Sequence, residues 1–285
     1  MIPGLTLDPS IFTLVLFAAI CHASWNALAK DTQDPWLRMA FGQAMSGIIC
    51  FLLLFFVPIP SPNSWVFLIG SIFAHQLYYV GVSYGYKLGD LSQVYPIQRG
   101  ISPVLISSGG YIFAGEEINQ QGLLGVLIIS LSILALSVTK HKTQKSHKPL
   151  YCALFTGLMI TFYTIFDAFG GRNSGNVFGY IVWLNFLDSI PFPLSVFWYK
   201  RHVIKRKSKQ ELKSGLIIGV LGTSAYASVI WALSFAPMAY VSALRETSVV
   251  IAVWIGSRVL KESFGAQRMV AAIFTVLGIF LLQSS

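Results

Sequence analysis

The chain has 285 residues, 55% of them hydrophobic and 11% charged, with a formal net charge of +9 and three cysteines. An ordinary soluble domain carries about 25% charged residues, and a mean hydropathy of +0.67 excludes that class in favour of an all-α integral membrane protein. The basic excess sits in short connectors between apolar runs, where it orients a chain in a bilayer and gives no reason to expect nucleic acid as a partner.

An apolar run of about 20 residues crosses a bilayer as a helix. In chain order such runs predict ten spans: 10–30, 37–57, 64–87, 91–113, 119–139, 149–169, 176–199, 211–236, 239–260 and 265–283. Residues 1–10 contain no basic residue, and no cleavable signal peptide is expected. The first span carries His22, Trp25 and Asn26 on one face. The third carries His75, Tyr79, Val82 and Tyr86 as one polar-aromatic stripe, which suits a cavity wall or a packed interface between helices. "VYPIQRGISPV" places Arg99 deep in the fourth span, and "ALRE" places Arg245 and Glu246 within the ninth. Cys21, Cys50 and Cys152 lie in or beside apolar runs without metal-ligand spacing and read as small membrane residues. No phosphate-binding glycine loop is present, so neither a cofactor nor ATP-driven pumping is expected.

Lys and Arg cluster in the connectors after odd-numbered spans, whereas the other side holds Arg172 alone. The positive-inside rule then places both termini outside the cytoplasm, in a plasma membrane. A repeat is also legible. An ungapped shift lays 90–136 over 236–282, matching Arg99 with Arg245, Ser102 with Ser248, Gly110 with Gly256, Glu116 with Glu262 and Gln121 with Gln267. A different shift lays His22, Trp25 and Asn26 on Ile160, Tyr163 and Thr164, with Ala29 on Asp167. A unit of five spans must insert its second copy upside down, and the basic connectors do change places between the copies. The expected architecture is therefore two inverted five-helix repeats, over 7–139 and 149–283, with a substrate site near the midplane between them.

"GDLSQVYPIQRG" (89–100), "APMAYVSALRE" (236–246), "HASWN" (22–26), "YTIFD" (163–167), "GEE" (115–117) and "KES" (261–263) carry a resemblance over nearly the whole chain. In order and register they resemble the EamA-type family of the drug/metabolite transporter superfamily. That resemblance implies a ten-helix bundle whose central cavity is formed largely by helices 1, 3, 4, 6, 8 and 9, and movement of a small metabolite, often an amino acid or related compound. Small four-helix pumps of the same superfamily keep a glutamate in the first helix for proton exchange. This chain has His22, Trp25 and Asn26 there, and their mechanism does not carry over.

Arg99 lies about 12 Å into its helix at 1.5 Å per residue, and Arg245 enters the membrane from the opposite side to a similar depth. One reading makes the pair an anion clamp for carboxylate or phosphate. The other pairs Arg245 with Glu246 or another acid and bonds Arg99 to carbonyls freed by Pro96 and Pro103. The candidate binding residues are Arg99, Arg245, Glu246, His75, Tyr79, Trp25, Asn26, Tyr95, Tyr163 and Trp231. His22, His75 and Glu246 are candidates for proton coupling. Asp167 reads as a solvated residue at a span's end, and Asp188, before Pro191 and Pro193, as the mark of a kinked scaffold helix. Gly42, Gly47, Gly215, Gly219 and Gly222 read as scaffold that permits close packing. The expected function is a secondary transporter, an exporter of a small and in some cases anionic metabolite, with membrane lipids around a monomer or homodimer. A lipid or prenyl-group enzyme would need clustered acids or histidines, and no paired aspartate motif or His-x-x-x-His is present. A passive channel is the remaining alternative.

Overall fold

The computed structural model describes residues 8–30, 34–88, 91–137, 147–204, 209–251 and 266–284. Among them all regular structure is helical. In order the helices are α1 (Pro9–Lys30), α2 (Pro35–Leu53), α3 (Trp65–Leu88), α4 (Leu91–Ala114), α5 (Gln120–Ala135), α6 (Lys148–Asn173), α7 (Val177–Asp188), α8 (Pro191–Tyr199), α9 (Arg201–Ile204), α10 (Lys209–Phe235), α11 (Met238–Arg245) and α12 (Ala266–Gln283). Helical backbone also runs over 247–251. Gly256 and Glu262, the second members of two repeat matches, lie outside the described residues.

The starts of several helices follow from their sequence. Asp34 accepts from the Leu37 N–H at 3.2 Å, with Pro35 in the first turn of α2. Asn119 and Asn176 cap α5 and α7 in the same way, accepting from Gly122 at 2.7 Å and Gly179 at 2.8 Å. Two expected spans are interrupted. The seventh divides after Asp188, because Pro191 has no N–H to continue the helix, and restarts as α8. The ninth closes α11 at Arg245, turns at Glu246, and resumes.

Six helical stretches among the described residues are long and apolar enough to cross a membrane: Pro9–Asn26, Trp36–Phe56, Pro62–Val82, Lys148–Asn173, Val177–Tyr199 and Leu212–Phe235. They correspond to the expected spans one, two, three, six, seven and eight. The fourth differs in kind. α4 has 24 residues, but its glutamines, serines, two internal prolines and Arg99 dilute its apolar character. α5 has 16 residues, about 24 Å of helix. Phe55, Phe56, Phe73, Leu131, Trp198 and Phe280 stand exposed on the exterior, an apolar surface that lipid solvates.

Helices pair mainly across the two halves of the chain. α3 packs on α6 and α1 on α10, two contacts that exchange when the halves are exchanged, while α2 packs on α7 and α10, and α5 on α12. The α5–α12 seam is close enough that a Cβ on Gly125 would come within 2.8 Å of the Gly278 carbonyl oxygen. Ser132 and Thr275 hydroxyls meet across it at 2.8 Å.

Away from the basic connectors the bundle is closed. A buried cluster including Val15, Ala168, Leu233, Met238 and Leu244 fills that end. Above it Arg172, in the last turn of α6, reaches Glu116 Oε1 at 2.7 Å and donates to the carbonyls of Leu233 and Ala236 at 3.0 and 2.9 Å. Glu116 Oε2 in turn accepts from the Met238 N–H at 2.8 Å, at the start of α11. Gly115, at φ +62°, makes the turn that brings Glu116 back over α4. Gly110 leaves room for it, since a Cβ there would stand 2.8 Å from Glu116 Oε2.

Candidate functional site

A cavity lies between α1, α2, α3, α6, α7, α10 and α11, with about 120 Å³ open to the centres of water-sized molecules. It occupies the middle of the bundle and the half nearer the basic connectors: α1 contributes from its second half, α2 from its first and α10 from its centre. Gly42 and Gly219 bring α2 and α10 together at its edge, a Cβ on Gly219 meeting the Gly42 carbonyl oxygen at 2.8 Å. Gly222 departs from the scaffold expectation. A Cβ there would touch nothing within 4 Å, because the residue opens onto the cavity.

Aromatic rings cluster on one part of the wall. His75 stacks on Tyr163 with centroids 4.0 Å apart, Tyr226 meets it edge-on at 5.2 Å, and Tyr79 stacks on Phe192 at 4.7 Å. Gln43 on α2 donates to the Tyr79 hydroxyl, and Ser46 bonds Thr223 on α10 at 2.6 Å. His22 and Trp25 line the same space. Of the third-span stripe, His75 and Tyr79 line this space, and Tyr79 also packs on Phe192.

The two arginines have unlike surroundings. Arg99, 4% exposed, meets Glu246 Oε1 at 3.0 Å and the Ser248 hydroxyl at 3.4 Å, joining α4 to the ninth span. The acid next to Arg245 in sequence therefore neutralises Arg99, whose partners among the described residues are Glu246 and Ser248 rather than the carbonyls around Pro96 and Pro103. Arg245 lines the cavity, donates to the Tyr163 hydroxyl at 3.1 Å, and has its guanidinium carbon 5.9 Å from that ring's centroid. Among the described residues no carboxylate lies within ion-pair distance of Arg245.

Of the expected binding residues, Trp25, His75, Tyr79, Tyr163 and Arg245 come together around this space, with His22. Others stand off it. Arg99 and Glu246 are occupied with each other, and Asn26 turns back to donate to the His22 carbonyl at 2.7 Å. Tyr95 packs against the cluster of Ile129 and Tyr240, and Trp231 lies between Phe178 and Phe235. α4 supplies none of the described lining, whereas α2 and α7 do, unlike the helix set that the family resemblance implies.

Two acids carry more than the sequence suggested. Asp167 is not a solvated end residue. It is 0% exposed and accepts hydrogen bonds from Tyr226 and, at 3.5 Å, Tyr180, because α6 continues to Asn173 and carries its solvated end beyond Asp167. Asp188 does end a broken helix, and it also lines the cavity, accepting from Gln76 Nε2 at 3.0 Å. Gln43, Thr223, Tyr226 and Asn185 join the lining too. The signal for Gln43 and Ser46 was present as two polar residues one turn apart in an apolar span. For Asp188 it was an acid beside a proline-broken helix.

A bundle of long apolar helices around an internal space that the buried Arg245 and Asp188 line is that of a multi-pass membrane protein and fits the transporter class. The EamA-like transporter family model matches residues 9–138 and again 147–284, and the chain belongs to that family. A crystal structure described simply as that of a protein shares the fold, with a TM-score of 0.72 at 14% identity, over 95% of this chain and 96% of its own. No curated protein matches the sequence.

Proposed function

We propose that this protein is a secondary transporter that exports a small metabolite carrying an anionic group, an amino acid or related compound, by alternating access. Ten spans form two inverted repeats over 7–139 and 149–283, in a plasma membrane, with both termini on the non-cytoplasmic face and the basic connectors in the cytoplasm. In that orientation the cavity faces the cytoplasm and the Arg172–Glu116 network closes the outer end. That is the loading state of an exporter, and the closed end argues against a continuous pore.

The observation that carries the reading is Arg245: a buried guanidinium, without an acid partner among the described residues, in an aromatic-walled cavity. A carboxylate supplies the charge and the two acceptor oxygens that such a fork takes up. Purified protein in liposomes, tested with a panel of labelled amino acids, should exchange internal for external label. Arg245→Ala should slow the exchange by roughly ten- to hundredfold at low substrate concentration, and Arg245→Lys restore it in part. Exchange by Arg245→Ala at the wild-type rate overturns the role given to this residue. Product formation from labelled lipid, or single-channel currents in a planar bilayer, overturns the class.

A further inference from the structure

The cavity and its inner wall hold two aspartates that no lysine or arginine pairs with among the described residues. Asp188 faces the cavity; Asp167 lies behind the wall, toward the closed end. Residues of α3 join them. His75 Nδ1 is 4.0 Å from Asp188 Oδ1, beyond hydrogen-bond length, and 3.5 Å from the Ser71 hydroxyl one turn earlier, and Ser71 stands near Asp167. His75 and Ser71 thus stand between an aspartate at the cavity and one in the sealed half of the bundle.

The groups around them come from every neighbouring element. Gln76 and Tyr79 on α3 face Asp188, with Gln43 on α2 behind Tyr79. Tyr180 on α7 and Tyr226 on α10 face Asp167. Tyr163 on α6 covers His75, and Arg245 on α11 stands over Tyr163. Nearly all of these are hydrogen donors. A metal cation needs a shell of oxygen acceptors and would find few here, whereas an acid taking up a proton needs only the acid and its neighbours. Burying either acid as an unpaired ion is costly, and one proton removes one charge. Glu246, by contrast, already has Arg99 and is no part of the cavity wall.

We infer that Asp188 and Asp167, with His75 and Ser71 between them, form a proton-binding site that couples movement of the substrate to a proton gradient, an inference that rests on the transport reading above. One proton moves between cavity water and an Asp188 oxygen. It leaves to water on the other side when the far end opens. No other bond changes.

The first test needs no substrate. Infrared difference spectra of the full-length protein in lipid, between acid and alkaline buffer, should show the carbonyl stretch of a protonated carboxyl. Asp188→Asn and Asp167→Asn should each reduce that band, and Asp188→Glu should restore the part lost in Asp188→Asn. A spectrum unchanged by both asparagine variants overturns the inference. The second test uses the labelled amino acid panel in liposomes under a one-unit pH gradient. One proton per cycle drives about tenfold accumulation in the wild type, and Asp188→Asn and Asp167→Asn should each accumulate about onefold, Asp167→Asn while still exchanging label. Wild-type accumulation by Asp188→Asn, or accumulation driven by sodium alone, overturns the coupling. If the wild type exchanges no amino acid, the transport reading fails, and the infrared result still decides the proton site.

Discussion

Arg99 and Arg245 occupy equivalent places in the two halves, yet one acid stands near both. Gly100 follows the first and Glu246 the second, so the repeat supplies two cations and a single carboxylate. The turn at Glu246 aims that carboxylate at Arg99 and leaves Arg245 for the cavity. Removing Arg245 deletes a charge-assisted contact of about 1.5–3 kcal/mol, so Arg245→Ala should weaken binding of an anionic substrate by roughly ten- to hundredfold with little change in melting temperature. Arg99→Ala should behave in the opposite way. It strands Glu246 without its partner and should lower stability by about 3–5 kcal/mol, read as a large drop in melting temperature in detergent. Gly222 gives a third expectation: Gly222→Ala should be tolerated, since its Cβ enters open space, whereas Gly222→Trp should fill the cavity and stop exchange in a folded protein. The pair of arginines was legible in the sequence because a charge in an apolar run stands out. Which one the acid takes was not, because that depends on a local turn that pattern alone does not specify.

At the scale of elements, hydropathy located the long apolar helices and their order, since each was a near-unbroken run of the right length. It was least informative where a helix breaks. The end of α7 at Asp188 and the turn at Glu246 both interrupt apolar runs at the depth of the cavity, and proline only hints at the first. The seam between α2 and α10 follows the same logic: Gly42 and Gly219 permit it, but only the packed structure shows that their backbones approach there. Replacing Gly219 with Leu puts a side chain against the Gly42 carbonyl and should part these helices. The expected result is loss of exchange with a lowered melting temperature, unlike the cavity-filling change at Gly222.

For the molecule as a whole, the sequence showed a chain folded in two related halves but not how far their roles have separated. The cavity draws on helices of both repeats, while α5 and α12 stand apart as a seam. With Cys21, Cys50 and Cys152 replaced by alanine, Gly222→Cys should react with a membrane-impermeant thiol reagent from the side of the basic connectors alone; reaction from the other side alone would reverse the assigned orientation of the cavity. Arg172, the one basic residue expected on that other side, is taken up by internal partners and so does not compete with the connectors in setting topology. A single guanidinium there grips a carboxylate and two carbonyls, and the same carboxylate pins the start of α11. Such a latch has one pin, and losing that guanidinium would leave the ends of α4, α6 and α10 without their common tie.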